Sequence, residues 1–109
     1  PFAISALQSR GEKAATRLLT LYEESGAQEV AAASLTALAE IRGAESLPTY
    51  QKAIKNEFGT VRAAAFEAIG RYGSKTLLPL TMEIVESETD PIAKGQAARA
   101  AIKLAGKKK

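Results

Sequence analysis

The strongest constraint on the fold of this chain is a pattern of apolar residues that recurs at a constant step of 31 positions. In segment 59–73 the apolar residues are spaced three and four apart, so they share one side of an α-helix. They are Val61, Ala64, Ala65, Ala68, Ile69 and Tyr72. One step upstream the pattern returns as Val30, Ala33, Ala37, Leu38 and Ile41, and one step before Leu35 and Leu38 lie Ile4 and Leu7. A single helix pair cannot bury such a stripe alone, so the repetition predicts stacked helical hairpins.

Glycine and capping residues divide the chain into short helices. Gly11 is expected to end a half helix formed by residues 1–10. Beyond it we expect helices at about 13–24, 28–41, 44–56, 59–73, 74–87 and 91–104. Ser74 and Asp90 are the predicted N-caps, because their side-chain oxygens can accept hydrogen bonds from the first free backbone N–H groups of a helix.

A repeated dipeptide supports the period independently of the apolar stripe. Leu47-Pro48 returns as Leu78-Pro79 at the same step, and each proline lies in a first helical turn, where its missing N–H has no partner anyway. The last helix fits better at a step two positions longer, with Ala101-Ile102 aligned to Ala68-Ile69. That alignment predicts two extra residues inside the helix, whose apolar stripe is expected to be Ile92, Ala98, Ala101, Ile102 and Leu104. A four-helix bundle would not need the period and a coiled coil would need sustained heptads, so a solenoid is favoured.

Charge and residue usage narrow the possible functions. The net charge of +3 comes entirely from Lys107, Lys108 and Lys109, whereas a duplex-binding domain usually carries a basic face on its folded body. The chain has no Cys and no His, which removes thiolate metal sites and the commonest general base. It has no phosphate-binding glycine loop and no apolar run that could span a bilayer. We therefore expect no enzyme, cofactor or metal, disfavour nucleic acid, and leave the compartment open.

Two groups of acidic residues are candidate carboxylate sites in the sequence. Adjacent residues on a helix point apart, so Glu23 and Glu24 cannot converge on one ligand. The group Glu83, Glu86 and Glu88 has no pattern for metal ligation. We interpret both groups as solvated helix faces.

Several motifs in register resemble the HEAT-repeat family, in particular its short bacterial and archaeal type related to the repeats of phycobilin lyases. The family's first helix often opens with Leu-Pro, as at Leu47-Pro48 and Leu78-Pro79. Motifs of its second helix are matched by Asp90-Pro91 at the start, by Val61-Arg62 and Ala64-Ala65 in the middle, and by residues 68–73 at the end. The resemblance covers nearly all of residues 3–106.

The resemblance also implies a structural role for two charged residues. In the family an Asp and an Arg recur and form a hydrogen-bonded ladder between neighbouring repeats. Here Arg62 and Asp90 each occur in one repeat only, since the matching positions hold Ala, Gln or Gly. Arg62 lies about 100° round the helix from Val61, within the apolar arc. We expect it to reach backbone or acidic partners between repeats, with ligand contact as the alternative.

The fold implied by the resemblance is all-α, a right-handed α-solenoid of about three and a half short helical hairpins. A partial repeat at 1–11 would precede repeats at about 12–43, 44–73 and 74–106, followed by the basic tail 107–109. Because the chain opens at Pro1 without Met, we expect it to be a fragment of a larger protein.

The second helices of the hairpins would line a concave face, as they do in the family. The positions on them furthest from the predicted stripe are small, namely Ala32, Ala39, Ala63 and Gly70, and the flanking positions are polar, namely Thr36, Glu40, Glu67 and Arg71. Small residues between polar edges would let a peptide or helix approach closely, and mixed charge favours a protein partner. We expect a non-catalytic protein–protein interaction scaffold. Alternatively, the alanines only support helicity.

Three other functions remain open from the sequence. The resemblance implies, as one alternative, an accessory or substrate-holding part of a phycobilin-lyase-like enzyme, with its chromophore chemistry outside these residues. The lysine tail could bind nucleic acid weakly, although simple fraying of its lysines into solvent is favoured. The exposed repeat ends, including Phe2, Ile4 and Leu7, could pair copies into oligomers.

Overall fold

A computed structural model describes the main chain of residues 2–108 and the side chains of residues 10–108. Within residues 2–108 all regular structure is helical. The α-helices are α1 (Phe2–Glu24), α2 (Gln28–Arg42), α3 (Leu47–Ala53), α4 (Gly59–Tyr72), α5 (Leu78–Ser87) and α6 (Pro91–Ala105). Short 3₁₀ turns at Gly43–Ser46 and Lys75–Leu77 lead into α3 and α5.

The second helices of the hairpins form one continuous layer. Helix α2 packs on α4, and α4 packs on α6 in the most extensive helix contact of the chain. The other layer consists of α1, α3 and α5, each packed on the helix that follows it. The thinnest dimension of the chain is 17 Å, as expected for two helix layers about 10 Å apart. The fold is an all-α solenoid, which confirms the fold class expected from the sequence.

The centre of the apolar core follows the predicted period. Leu35 and Phe66 are one repeat step apart and are both fully buried. Leu38 and Ile69, at the same step, are 0% and 1% exposed. Ile4 and Leu7, which the sequence aligns with these positions, lie outside the described side chains.

The helix end predicted at Gly11 is wrong, because α1 continues through this residue to Glu24. A single glycine inside a helix costs only about 1 kcal/mol relative to alanine. Gly11 also lies beside Ile41 of α2, so packing supports α1 at this point. Residues 2–10, assigned to a separate half helix, are instead the first turns of α1.

Gly43 ends α2 in a conformation that requires glycine. Its φ is +55°, a region that other residues enter only with strain. Its carbonyl accepts a hydrogen bond of 2.8 Å from the hydroxyl of Tyr50. Burial raises the pKa of Tyr50 to about 12, so this phenol stays protonated and keeps its hydrogen at neutral pH.

The two predicted N-caps have different outcomes. Asp90 caps α6, because its Oδ2 accepts a hydrogen bond of 2.9 Å from the backbone N–H of Ala93. The Ser74 prediction is wrong, since its hydroxyl pairs with the hydroxyl of Thr76 and with no backbone N–H. A 3₁₀ turn at Lys75–Leu77 follows Ser74. Helix α5 begins only at Leu78, so Ser74 is not adjacent to the first turn of an α-helix.

The predicted stripe of α6 is right for Ala101 and Leu104, which are buried, and wrong for its two isoleucines. Ile92 and Ile102 are 67% and 73% exposed. Helix α6 instead buries Ala93, Ala97, Ala100, Ala101 and Leu104. The N-caps of α4 and α6 are Phe58 and Asp90, which are 32 positions apart. The last helix is therefore displaced by one position from the repeat step of 31, whereas the sequence alignment predicted a displacement of two positions. At this step Ile92 corresponds to Thr60 rather than to Val61, and Ile102 corresponds to Gly70 rather than to Ile69. Since one residue turns a helix by about 100°, both isoleucines were assigned to the wrong side.

Candidate functional site

The four polar residues predicted to flank a binding face line one shallow groove between α2 and α4. Thr36 and Glu40 come from α2, and Glu67 and Arg71 come from α4. The members of each pair are four residues apart, so they project from the same side of their helix. The rest of the lining is Ala39, Ala64, Ala68 and Tyr72. Of these, Ala39 and Ala68 are buried beneath the groove, and Ala64 and Tyr72 are half-buried between the polar residues.

The charges in this groove are mostly open to solvent. Arg71 Nη2 lies 3.7 Å from Glu67 Oε1, with the two side chains 52% and 40% exposed, so water screens this attraction to well under about 1 kcal/mol. Glu40 is exposed and forms no ion pair with any residue whose side chain is described. The hydroxyl of Thr36 donates to the carbonyl of Ala32, which leaves its lone pairs to accept. The groove can offer a partner carboxylates, a guanidinium and one hydroxyl acceptor.

Three of the small residues assigned to the exposed face are buried, so that prediction is wrong for them. Ala39 and Ala63 are only 5% and 8% exposed, and Gly70 is buried as well. A Cβ added at Gly70 would lie 3.0 Å from the Cα of Ala100 in α6. Ala32 is half-buried against the core. These residues let neighbouring helices approach and do not form an open strip.

The error arises because α2 and α4 have different neighbours, so one reference position does not describe the buried side of both helices. Val61 is fully buried, but its counterpart Val30 is 43% exposed. Helix α4 is packed between α2 and α6 and also contacts α3. Helix α2 packs on α1, and α4 is its single neighbour in the layer of second helices within the described residues. The buried arc of α4 is therefore wider than an apolar stripe. Periodicity gives the angles between residues on a helix and does not tell how many helices surround it.

A buried ion pair joins α4 to the connection between α5 and α6. Arg62 Nε and Nη2 lie 2.7 Å and 2.9 Å from the two carboxylate oxygens of Glu88, a bidentate arrangement. Arg62 Nη1 donates to the carbonyl of Asn56 at 2.8 Å. The side chain of Glu88 is 3% exposed and also accepts from the backbone N–H groups of Thr89 and Asp90. Hydrogen bonding to Arg62 holds the pKa of Glu88 below its ordinary value.

Sequence reasoning missed Glu88, which it grouped with Glu83 and Glu86 as a solvated acid. The interpretation is wrong for Glu88, while Glu83 and Glu86 are exposed. The available signal was Arg62, because a guanidinium within an apolar arc needs a carboxylate partner to offset its desolvation. Glu88 is the first residue after α5, where a side chain can turn inward between hairpins.

The basic tail is not entirely frayed, so that expectation is wrong for Lys107. Its Nζ donates to the carbonyls of Gly73 at 2.7 Å and Arg71 at 3.0 Å. Carbonyls at the end of a helix lack intrahelical partners and carry the negative end of the helix dipole. Lys107, which follows the C-terminal end of α6, therefore caps the C-terminal end of α4. Burial lowers the pKa of Lys107. Lys108 is exposed.

Replacing Lys107 by alanine is expected to lower stability by about 1 kcal/mol, because two helix-end carbonyls lose a charged donor. The melting temperature of a domain of this size would fall by roughly 5 °C, measured by the loss of helical circular dichroism on heating. Lys108→Ala is the matched control, since it removes the same charge from a solvated side chain. Equal effects of the two substitutions would show that the cap contributes nothing.

Two other kinds of functional feature, a metal-ligating cluster and a membrane-spanning helix, are absent from the described residues. Residues 10–108 contain no group of three or more His, Cys, Asp or Glu side chains placed to hold a metal ion. None of the described helices is both long and apolar enough to cross a bilayer. The groove between α2 and α4 is the candidate site because it brings together all four polar residues predicted from the sequence.

The comparison with protein families agrees with this architecture. The family model for HEAT repeats matches residues 15–102, which is most of the chain. No curated protein and no solved structure matches the chain significantly. The narrower relation to phycobilin-lyase repeats stays a prediction. From the stacked helical hairpins and the family match together, the chain belongs to the HEAT-repeat family.

Proposed function

We propose that this chain is a non-catalytic scaffold that binds a peptide segment of another protein in the groove between α2 and α4. HEAT repeats generally mediate protein–protein interaction and are typically non-catalytic. The observation that supports the proposal is the convergence of Thr36, Glu40, Glu67 and Arg71 on one shallow groove. They come from two helices of successive hairpins, so a ligand placed there would contact both repeats at once.

The chemistry of the groove indicates the kind of peptide it would take. Ala64 and Tyr72 are half-buried in the groove while Ala39 and Ala68 are buried, so a small side chain of the peptide could rest on Ala64 between the polar residues. Glu40 would attract a lysine or arginine of the peptide, and Arg71 could exchange its weak pair with Glu67 for a carboxylate of the partner. Two carboxylates in the groove repel a polyanion such as nucleic acid. A basic residue beside small residues is therefore the expected recognition feature.

Selection from a displayed library of random peptides tests this proposal. Peptides enriched on the wild-type chain should carry a basic residue, and Glu40→Lys should weaken their binding by roughly three- to tenfold, since it replaces one exposed attraction by one repulsion, each worth well under about 1 kcal/mol. Affinities would be measured by fluorescence anisotropy at protein concentrations where the chain is monomeric.

Glu45→Lys is the control, because Glu45 is exposed and does not line the groove. Both substitutions are at solvated positions, so circular dichroism should show unchanged folding. If the enriched peptides bind Glu40→Lys as tightly as wild type, or if Glu45→Lys weakens them equally, the groove is not the binding site.

A further inference from the structure

One of the side chains that line the groove between α2 and α4 is aromatic, namely Tyr72, the last residue of α4. We propose that Tyr72 and Glu40 together hold an arginine side chain of the bound peptide, with its guanidinium group stacked on the ring and paired with the carboxylate. This inference rests on the proposed peptide groove. It adds the identity of the basic residue and the side chain that selects it.

Glu40 and Tyr72 lie at the same end of the groove, because α2 and α4 run side by side in the same direction. The hydroxyl of Thr60 donates to Gln28 Oε1 at 3.0 Å, which joins the first turns of the two helices. At the other end, Gly43 directly follows α2 and lies against the ring of Tyr72. Glu40 is in the last turn of α2. Its carboxylate and the ring therefore line neighbouring parts of one surface.

The ring of Tyr72 is half-buried and remains accessible from the groove. A Cβ added at Gly43 would lie 3.4 Å from both Cδ1 and Cε1 of the ring, so backbone covers this part of it. Helical side chains lean back over the preceding turn, where the residue on the same side of α4 is Ala68. Ala68 is small and buried, so it does not cover the ring. A flat cation can therefore approach Tyr72 from the groove.

The charges at this end of the groove favour a cation. Glu40 is exposed and pairs with no basic side chain among those described. Arg71, the basic residue of the groove, lies 3.7 Å from Glu67, which offsets its charge in part. The last turn of α2 carries the negative end of its helix dipole, and Arg42 of that turn is paired with Glu12 at 3.2 Å. Carboxylate, helix end and the negative face of the ring attract a cation together.

A ring beside a carboxylate distinguishes arginine from lysine. A guanidinium group is planar and is more weakly hydrated than an ammonium group, so it can stack on a ring while its edge donates two hydrogen bonds to a carboxylate. An ammonium group is a compact, strongly hydrated charge that lacks this flat face. Attraction to Glu40 alone would treat the two cations alike. The proposal therefore predicts a preference for arginine that depends on Tyr72.

Nuclear magnetic resonance titration with two defined probes tests the proposal. The probes are acetylated, amidated tripeptides with either arginine or lysine between two alanines. The arginine probe should shift the backbone N–H resonance of Glu40 and the ring-proton resonances of Tyr72 in the wild-type chain. It should bind roughly two- to fivefold more tightly than the lysine probe, the range expected for an exposed cation–π contact.

Two substitutions at Tyr72 separate the ring from the hydroxyl. Tyr72→Leu should abolish the preference for arginine, since leucine keeps an apolar surface but has no aromatic face. Tyr72→Phe should retain the preference, because the ring remains. Phe58→Leu is the matched control, since Phe58 is a half-buried aromatic residue that packs on the core at the other end of α4 and does not line the groove. This control should also retain the preference.

Equal affinity of the wild-type chain for the two probes, or no shift of the Tyr72 ring protons with the arginine probe, would overturn the proposal without any variant. A preference that survives Tyr72→Leu, or that disappears in Phe58→Leu, would do so as well. These failures differ from failure of the peptide groove. Selected peptides that depend on Glu40 but bind equally with arginine or lysine would refute only the role of Tyr72. An arginine probe that binds although no peptide is enriched would refute only the scaffold function.

Discussion

Replacement of Arg62 by leucine is expected to destabilise the protein by about 3 kcal/mol or more, since it removes one partner of a buried ion pair. The carboxylate of Glu88, whose side chain is 3% exposed, would remain buried without its counter-charge. The carbonyl of Asn56 would also lose its donor. At this size the melting temperature should fall by roughly 10–20 °C, measured by circular dichroism together with urea denaturation.

Arg71→Leu is the matched control on the same helix. Its ion pair with Glu67 is long, at 3.7 Å, and about half exposed, so its loss should change stability by less than about 0.5 kcal/mol. Glu88→Gln should be intermediate, because an amide oxygen can still accept from the N–H groups of Thr89 or Asp90 but carries no charge. Similar, small effects of Arg62→Leu and Arg71→Leu would rule out the inter-repeat structural role that we propose for Arg62.

The pH dependence of stability provides a second readout of the same pair. Hydrogen bonding to Arg62 holds the pKa of Glu88 below its ordinary value of 4.5. A carboxyl group with a lowered folded-state pKa stabilises the protein fully above its ordinary pKa, and this contribution is lost as the pH falls through the folded-state pKa. The stability difference between wild type and Glu88→Gln should therefore shrink on acidification below that value. A constant difference would show that the charge of Glu88 is not involved.

Gly70→Leu is expected to cost about 3 kcal/mol, the upper part of the usual range for overpacked sites. A Cβ at Gly70 would lie 3.0 Å from Ala100 Cα and 3.3 Å from its Cβ, so a larger side chain must push α6 away from α4. Because this is the most extensive helix contact in the chain, the whole last hairpin would have to move. Urea denaturation of the purified variant measures the loss.

Alanine substitutions at two glycines separate this contact from helix propensity. Gly95→Ala should stabilise the chain by up to about 1 kcal/mol, since alanine favours helix and no atom lies within 4 Å of the added Cβ. Gly70→Ala has the same propensity gain, but the tight approach of Ala100 should cancel it or reverse its sign. Equal stabilisation by both would mean that α4 and α6 do not approach closely at Gly70.

The groove illustrates how much of a site the sequence can predict. Thr36 and Glu40, like Glu67 and Arg71, share a helix face because of their spacing alone, and they do line one groove. The same phase argument failed for Ala63 and Gly70, since α6 covers that side of α4. It could not find Glu88 either, because this partner of Arg62 is distant in the sequence, beyond the end of α5.

By itself, the sequence determined the all-α stack, the position of most helices, and the Asp90 cap, because helical periodicity, proline placement and capping act over a few neighbouring residues. Only the tertiary structure decided which flanks of each helix are covered and that Arg62 pairs with Glu88. It also decided that α1 continues through Gly11 and that Lys107 caps α4. The physical reason is that burial and ion pairing depend on segments distant in the chain, whose approach a local pattern does not encode.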